Sequence, residues 1–147
     1  MRFEFATATR IIFGQSTVRE AAPLAAGMGS RALVVTGSSL ERSLPLLSQL
    51  REQGVEAVTF PVYGEPTTDT ALAGVQAARE AGCDLVIGLG GGSVLDTGKV
   101  IAALLTNTGD LIDYLEIIGR GQPLTRPAAP YIAIPTTAGT GAEVAWN

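Results

Sequence analysis

No histidine occurs anywhere in the 147 residues, and there is one cysteine, Cys83. Zinc and iron sites draw mainly on imidazole and thiolate, so the donor set for such a centre is missing. Asp96, Asp110 and Asp113 do not replace it, because isolated carboxylates suit magnesium or calcium. A single thiol also excludes an internal disulfide, and its place just before a predicted strand reads as a buried bystander, not a nucleophile. Charge is scarce as well: 16% of residues are charged and the net charge is −4, with no cluster of lysine or arginine. Nucleic acid and anionic membrane therefore find no electrostatic footprint. The amino terminus carries Glu4 and no apolar run of signal length. The longest uncharged stretch, Pro127 to Ala142, is interrupted by Pro130 and Pro135, which argues against a spanning helix. A cytoplasmic protein is expected.

With 46% hydrophobic residues, the chain has the composition of a globular core and the length of one domain. Its organising stretch is Asp84 to Asn107. Asp84 to Leu89 is a short apolar run ending in glycine, as in a buried parallel strand. Gly90, Gly91 and Gly92 follow, and Ser93 opens a helical pattern in which Val94, Leu95, Val100, Ala103 and Leu104 recur. Glycines let the backbone turn sharply and admit a ligand where a Cβ would stand. A helix start offers unpaired N–H groups and the positive end of its dipole, an arrangement suited to phosphate. Ser93 and Asp96 also have the spacing of a capping box, which is compatible with that use. Two phosphate motifs fail on spacing. Gly98-Lys99 is followed by Val100, not Ser or Thr, and Gly88-x-Gly90 is followed by Ser93 where G-x-G-x-x-G needs glycine.

Along the chain, Phe3 to Ala6 and Ile11 to Phe13 read as two short strands, and Ser16 to Met28 as a helix shortened or kinked by Pro23. Arg31 to Thr36 is a clear strand with a turn at Gly37, Ser38 and Ser39. Leu40 to Gln53 reads as a helix with Leu44, Leu47 and Leu50 inward. Val55 to Phe60 is a strand and Pro61 to Thr68 a loop. A helix capped by Asp69 follows, with Leu72, Val75, Ala78 and Ala81 as its buried stripe. Asp110 to Leu115 is a short helix, Gly119 to Pro130 a loop, and Tyr131 to Ile134 a last strand, left through the turn Pro135 to Gly141. Glu143 is placed to begin another helix. Strands alternate with helices, so a mainly parallel α/β sheet with helices on both faces is expected. Ligands of such sheets collect beyond the carboxyl ends of the strands, where every turn of interest lies.

Gly90-Gly91-Gly92-Ser93-Val94-Leu95-Asp96-Thr97-Gly98-Lys99 resembles the GGGSxxDxxK signature of the iron-containing (group III) alcohol dehydrogenases. Ile134 to Val144, Phe13-Gly14 and Glu65-Pro66-Thr67 are similar to further motifs of that family. The resemblance implies a Rossmann-like dinucleotide-binding domain over residues 1–147, with an amino-terminal strand pair that contributes to a homodimer. It implies NAD or NADP as cofactor. Gly91, Gly92 and Ser93 would hold the pyrophosphate, Thr136 and Thr137 the adenosine and phosphate side, and Asp96 and Lys99 would lie near the nicotinamide ribose. Gly37, Ser38, Ser39, Glu65, Pro66 and Thr67 complete the expected cofactor contacts. The family often has an aspartate where Gly37 stands, for the adenosine ribose hydroxyls, and its absence leaves room for the 2′-phosphate of NADP. Ala145 stands where threonine is common, which removes one hydroxyl contact.

The same resemblance implies hydride transfer between small alcohols and aldehydes or ketones, with iron or zinc held by one aspartate and three histidines in a carboxyl-terminal helical domain beyond Asn147. No catalytic or metal residue is therefore expected among these 147, and metal-assisted turnover by this chain alone is not expected. The alternative is a non-catalytic nucleotide-binding module or a diverged relative.

Overall fold

A computed structural model describes residues 9–115 and 118–144. Its centre is a four-stranded sheet in the order β2-β1-β3-β4, formed by β1 (Arg31–Thr36), β2 (Glu56–Pro61), β3 (Leu85–Gly90) and β4 (Tyr131–Pro135). All three pairings are parallel, with Leu33 opposite Val58 and Val86, and Gly88 opposite Ala133. The alternating side chains of β1 and β3 build two cores. Leu33, Val35 and Val86 face one side, Ala32, Val34, Leu85 and Ile87 the other, as the two-residue period of a strand requires. Helices α1 (Ala21–Ala26) and α2 (Leu44–Glu52) cover the second side, and α3 (Thr68–Glu80) and α4 (Gly92–Thr106) the first. A short α5 (Leu111–Tyr114) follows. The Rossmann-like α/β reading is borne out. None of the helices is long and apolar enough to cross a membrane, among the described residues.

Several local expectations need correction. Ile11 to Phe13 forms no strand, and Phe13 is fully exposed; Phe3 to Ala6 lies outside the described residues. The segment from Ser16 to Met28 divides into a 3-10 turn, Thr17–Glu20, and the six-residue α1, with Pro23 inside the first turn, where a missing N–H costs least. In α2 the inward residues are Leu46 and Leu50, whereas Leu44 is exposed. Another 3-10 turn, Leu40–Ser43, precedes that helix and resets its phase. Helix α3 is capped by Thr67, whose hydroxyl accepts from the Thr70 N–H at 3.1 Å, and not by Asp69. Its buried face is Ala71, Gly74, Val75 and Ala78, with Leu72 exposed. Small residues line it because α3 lies close on α4: a Cβ at Gly74 would overlap Ile101.

Tyr131 joins β4 to α4. Its hydroxyl donates to the Leu95 carbonyl at 2.9 Å, and Cβ atoms at Gly88 or Gly98 would collide with it. Burial, then the Asp96 carboxylate, pushes this phenol well above its ordinary range. At the other end of α4 the buried Asn107 accepts from the Thr125 and Arg126 N–H groups and donates to the Ala103 carbonyl. It thereby fixes part of the 119–130 loop, which has no regular element among its residues.

Candidate functional site

The strand order reverses direction at β1 and β3. The chain leaves β1 for β2 on one side, then crosses back to place β3 on the other. In open α/β sheets a crevice forms at the carboxyl ends of the strands flanking such a switch point. A cavity of about 260 Å³ lies there. Thr36, Gly37, Ser38 and Ser39 form the wall at the end of β1, with Arg42 and Ser43 from the 3-10 turn that follows. Leu89, Gly90 and Gly91 come from the end of β3, and Thr136 and Thr137 from the end of β4.

The glycine run reaches this crevice with its helix start uncapped. Gly91 is the N-cap residue and no side chain caps it. The Val94 and Leu95 N–H groups both turn back to the Gly91 carbonyl at 3.1 Å. Gly92 and Ser93, the first residues of α4, are the positions whose N–H groups lie ahead of the helical ladder. The expected capping box does not form. Asp96 instead lies 3.9 Å from Lys99, while Thr97 donates its hydroxyl proton to the Ser93 carbonyl at 2.7 Å. The two glycine-rich turns are in contact. The Thr136 N–H donates to the Gly90 carbonyl at 2.9 Å, a Cβ at Gly91 would sit 3.4 Å from the Thr137 hydroxyl oxygen, and one at Gly92 would sit 3.0 Å from Thr140.

One wall atom is out of balance with its surroundings. The Thr36 hydroxyl is buried and has no hydrogen-bond partner among the described residues. A buried hydroxyl left unpaired costs about 1–3 kcal/mol, and a ligand with a hydrogen-bonding group in the crevice would relieve it. The described residues of the walls fit a phosphorylated, hydroxyl-bearing ligand: glycines, hydroxyls and one guanidinium, with no carboxylate among them.

The structure gathers Gly37, Ser38, Ser39, Gly91, Thr136 and Thr137 into this crevice. Gly92, Ser93, Asp96 and Lys99 belong to the adjoining first turns of α4 and lie outside the cavity wall. Glu65, Pro66 and Thr67 follow the end of β2, on the far side of β1, and also stand outside it; the Thr67 hydroxyl is engaged as a helix cap. Sequence reasoning missed Thr36 and Arg42. Thr36 looked like an ordinary strand residue, and Arg42 enters through the 3-10 turn Leu40–Ser43, in which the Ser43 hydroxyl donates to the Leu40 carbonyl at 2.6 Å.

A parallel sheet wound on both faces, with a glycine-lined crevice at its switch point, is the architecture of Rossmann-like α/β domains. The chain belongs to the iron-containing alcohol dehydrogenase family, whose sequence profile matches residues 8–147. It is 34% identical to the sulfoacetaldehyde reductase of Bilophila wadsworthia, over 98% of this chain and 38% of that protein. A solved 1,3-propanediol oxidoreductase shares the fold with a TM-score of 0.86 at 33% identity, covering 98% of this chain and 38% of that one. The sulfoacetaldehyde reductase of Bifidobacterium kashiwanohense, solved in complex with NAD+, gives a TM-score of 0.81 at 27% identity over 97% and 38% of the two chains. The chain thus spans less than two fifths of the length of these relatives.

Proposed function

We propose that the chain is the cofactor-binding part of an NAD(P)-dependent alcohol dehydrogenase, one that interconverts small alcohols with aldehydes or ketones. The observation that carries this is the convergence of three strand ends on one crevice with an uncapped helix start and an orphaned buried hydroxyl. Gly91, Gly92 and Ser93 would receive the diphosphate through backbone N–H groups, which no side chain obstructs. Thr136 and Thr137 would contact the adenosine and phosphate side, and Gly37 to Ser39 the adenosine ribose. Asp96 and Lys99, further along α4, would flank the nicotinamide ribose, and Glu65, Pro66 and Thr67 the outer rim. At about 260 Å³ the crevice is smaller than most small-molecule pockets, ~300–1,000 Å³, and so would hold one portion of an extended dinucleotide. When bound, the nicotinamide supplies hydride chemistry; these residues bind and orient it.

The iron of the family's name is not matched by the donors of this chain. It has no histidine, and its described residues contain no group of three histidine, cysteine, aspartate or glutamate side chains placed to hold a metal ion. The role that its residues fit is that of the cofactor domain. The alternative reading is a nucleotide-binding module without chemistry of its own. A cytoplasmic setting and self-association through the amino-terminal segment, where Phe13 is exposed, belong to the same proposal.

Calorimetric titration of the chain with NAD and NADP tests it. Gly92→Val should weaken both dinucleotides about a hundredfold or more, by filling the approach to the helix start. Because a side chain at Gly92 also presses on Thr140, Gly91→Ala is the companion variant. Its Cβ meets only ordinary contact at 3.4 Å, so the fold is kept while the approach is narrowed. Dinucleotide affinity unchanged in both variants would remove the glycine run from the site.

A further inference from the structure

The charge of the crevice is one-sided. Among the described residues, Arg42 is the single ionised side chain in its wall, and no aspartate or glutamate lines it. The guanidinium makes no ion pair with any described residue. Its neighbours in the wall are Ser38, Ser39 and Ser43, and Gly37 contributes no side chain. A Cβ at Gly37 would have nothing nearer than Val94 at 4.0 Å, so the space beside the end of β1 is open. Arg42 shares its cavity with the Thr36 hydroxyl, buried and without a partner among the described residues, a group that independently calls for a ligand there.

We propose that Arg42 is the specificity-determining residue of the site: it recognises the 2′-phosphate on the adenosine ribose, and so makes NADP the preferred dinucleotide. The inference rests on the reading of the crevice as a dinucleotide site. A ribose placed at the end of β1 presents its 2′ position to the loop that follows that strand. A carboxylate there would accept hydrogen bonds from a free 2′-hydroxyl and repel a phosphate, whereas an arginine does the reverse. Guanidinium matches phosphate geometry with two parallel N–H donors, and the pairing strengthens as the charge on the ligand grows. Ser38 and Ser39 add hydroxyl donors of the kind that complete a phosphate shell.

The test is calorimetric titration of the purified chain with NADP, NAD, 2′-AMP and 5′-AMP, for the parent, Arg42→Ala and Arg42→Lys. The parent should bind NADP about tenfold or more tightly than NAD, and 2′-AMP more tightly than 5′-AMP. Arg42→Ala should lose at least tenfold in NADP affinity, the size expected of one charge-assisted contact. NAD affinity should stay within about twofold. Arg42→Lys should recover part of the loss, since charge survives but the planar fork does not. The preference should also shrink as salt rises. Equal binding of NADP and NAD by the parent, or an equal loss of both in Arg42→Ala, would overturn the role of Arg42 while leaving the dinucleotide site standing. A parent that binds neither dinucleotide would overturn the site itself, and this inference with it. Unchanged thermal unfolding of the ligand-free variants separates either result from misfolding.

Discussion

The two edges of the same sheet treat their polar groups in opposite ways. At the amino ends of β1 and β3, Asp84 accepts from the Ser30 and Arg31 N–H groups and from the Ser30 hydroxyl, at 2.8 to 3.0 Å. Arg31 donates to the Ala81 carbonyl and pairs with Glu56. The Asp84 N–H donates to the Arg31 carbonyl. Every charge there has a partner from the chain itself. At the carboxyl ends, a few residues further along the same strands, the described residues leave the buried Thr36 hydroxyl without a partner, the start of α4 without a side-chain cap and Arg42 without an ion pair. Buried polar groups are ordinarily satisfied, so an edge closed by its own side chains is structure, and one left open is a place for something else.

Among the changes that test this contrast, the largest effect comes from giving the open edge the kind of charge that the closed edge has. Gly37→Asp introduces a carboxylate beside Arg42, in a space where the nearest atom to a new Cβ is 4.0 Å away. It would pair with the guanidinium and repel a 2′-phosphate. Preference should swing toward NAD by about tenfold or more, ~1.4 kcal/mol, as read from the ratio of dissociation constants. A ratio that does not move would show that the end of β1 does not face the ribose.

Much of this arrangement is legible from residues alone, and the exceptions have a common cause. β1, β3 and the start of α4 were foreseen within a residue or two because their signals are local: an apolar run of strand length, three glycines, a helical period. The inward face of α2 differs from its pattern because the 3-10 turn Leu40–Ser43 shifts the phase to Leu46 and Leu50, and that of α3 because contact with α4 chooses the small residue, not the most apolar one. Gly74 is buried against Ile101, and Leu72 is left outside. The cap of α3 fell to Thr67, not Asp69, as both carry oxygen and only the backbone path decides between them. In the crevice, Gly37 to Ser39, Gly91, Thr136 and Thr137 were marked by their turns, but Arg42 was not. Its place depends on the 3-10 turn Leu40–Ser43, which no short pattern announces. Thr36 was hidden for another reason: an unsatisfied hydroxyl is a property of its surroundings.

That hydroxyl supplies an intermediate effect. In Thr36→Val the shape is nearly kept and the unpaired oxygen is removed. The ligand-free variant should gain about 1 kcal/mol, the lower end of the cost of an unsatisfied buried hydroxyl, seen as a rise in denaturation midpoint. The stabilisation conferred by saturating NADP should fall in the same variant. A loss of stability without ligand would mean that the oxygen already has a partner, and the open edge would then be less open than it looks.

The smallest effect belongs to the closed edge and is told by its pH dependence. Burial pushes the Asp84 carboxyl up, but the N–H groups of Arg31 and Ser30 and the Ser30 hydroxyl outweigh it and hold the group below its ordinary value of 3.8. A depressed folded-state pKa means that the carboxylate contributes stability above the unfolded value, and that this is lost as pH falls through the folded one. Asp84→Asn keeps one acceptor oxygen and removes the charge. At neutral pH it should cost under about 1 kcal/mol, because the exposed carboxylate is screened by solvent. The deficit should shrink steadily below pH 3.8, as the parent itself becomes protonated. Dinucleotide affinity should stay the same at every pH, since Asp84 lies at the opposite end of the strands. Thermal melts of parent and variant from pH 7 down to about 3 decide the matter. Parallel curves would deny Asp84 its ionic role, and a change in cofactor affinity would erase the division between the two edges.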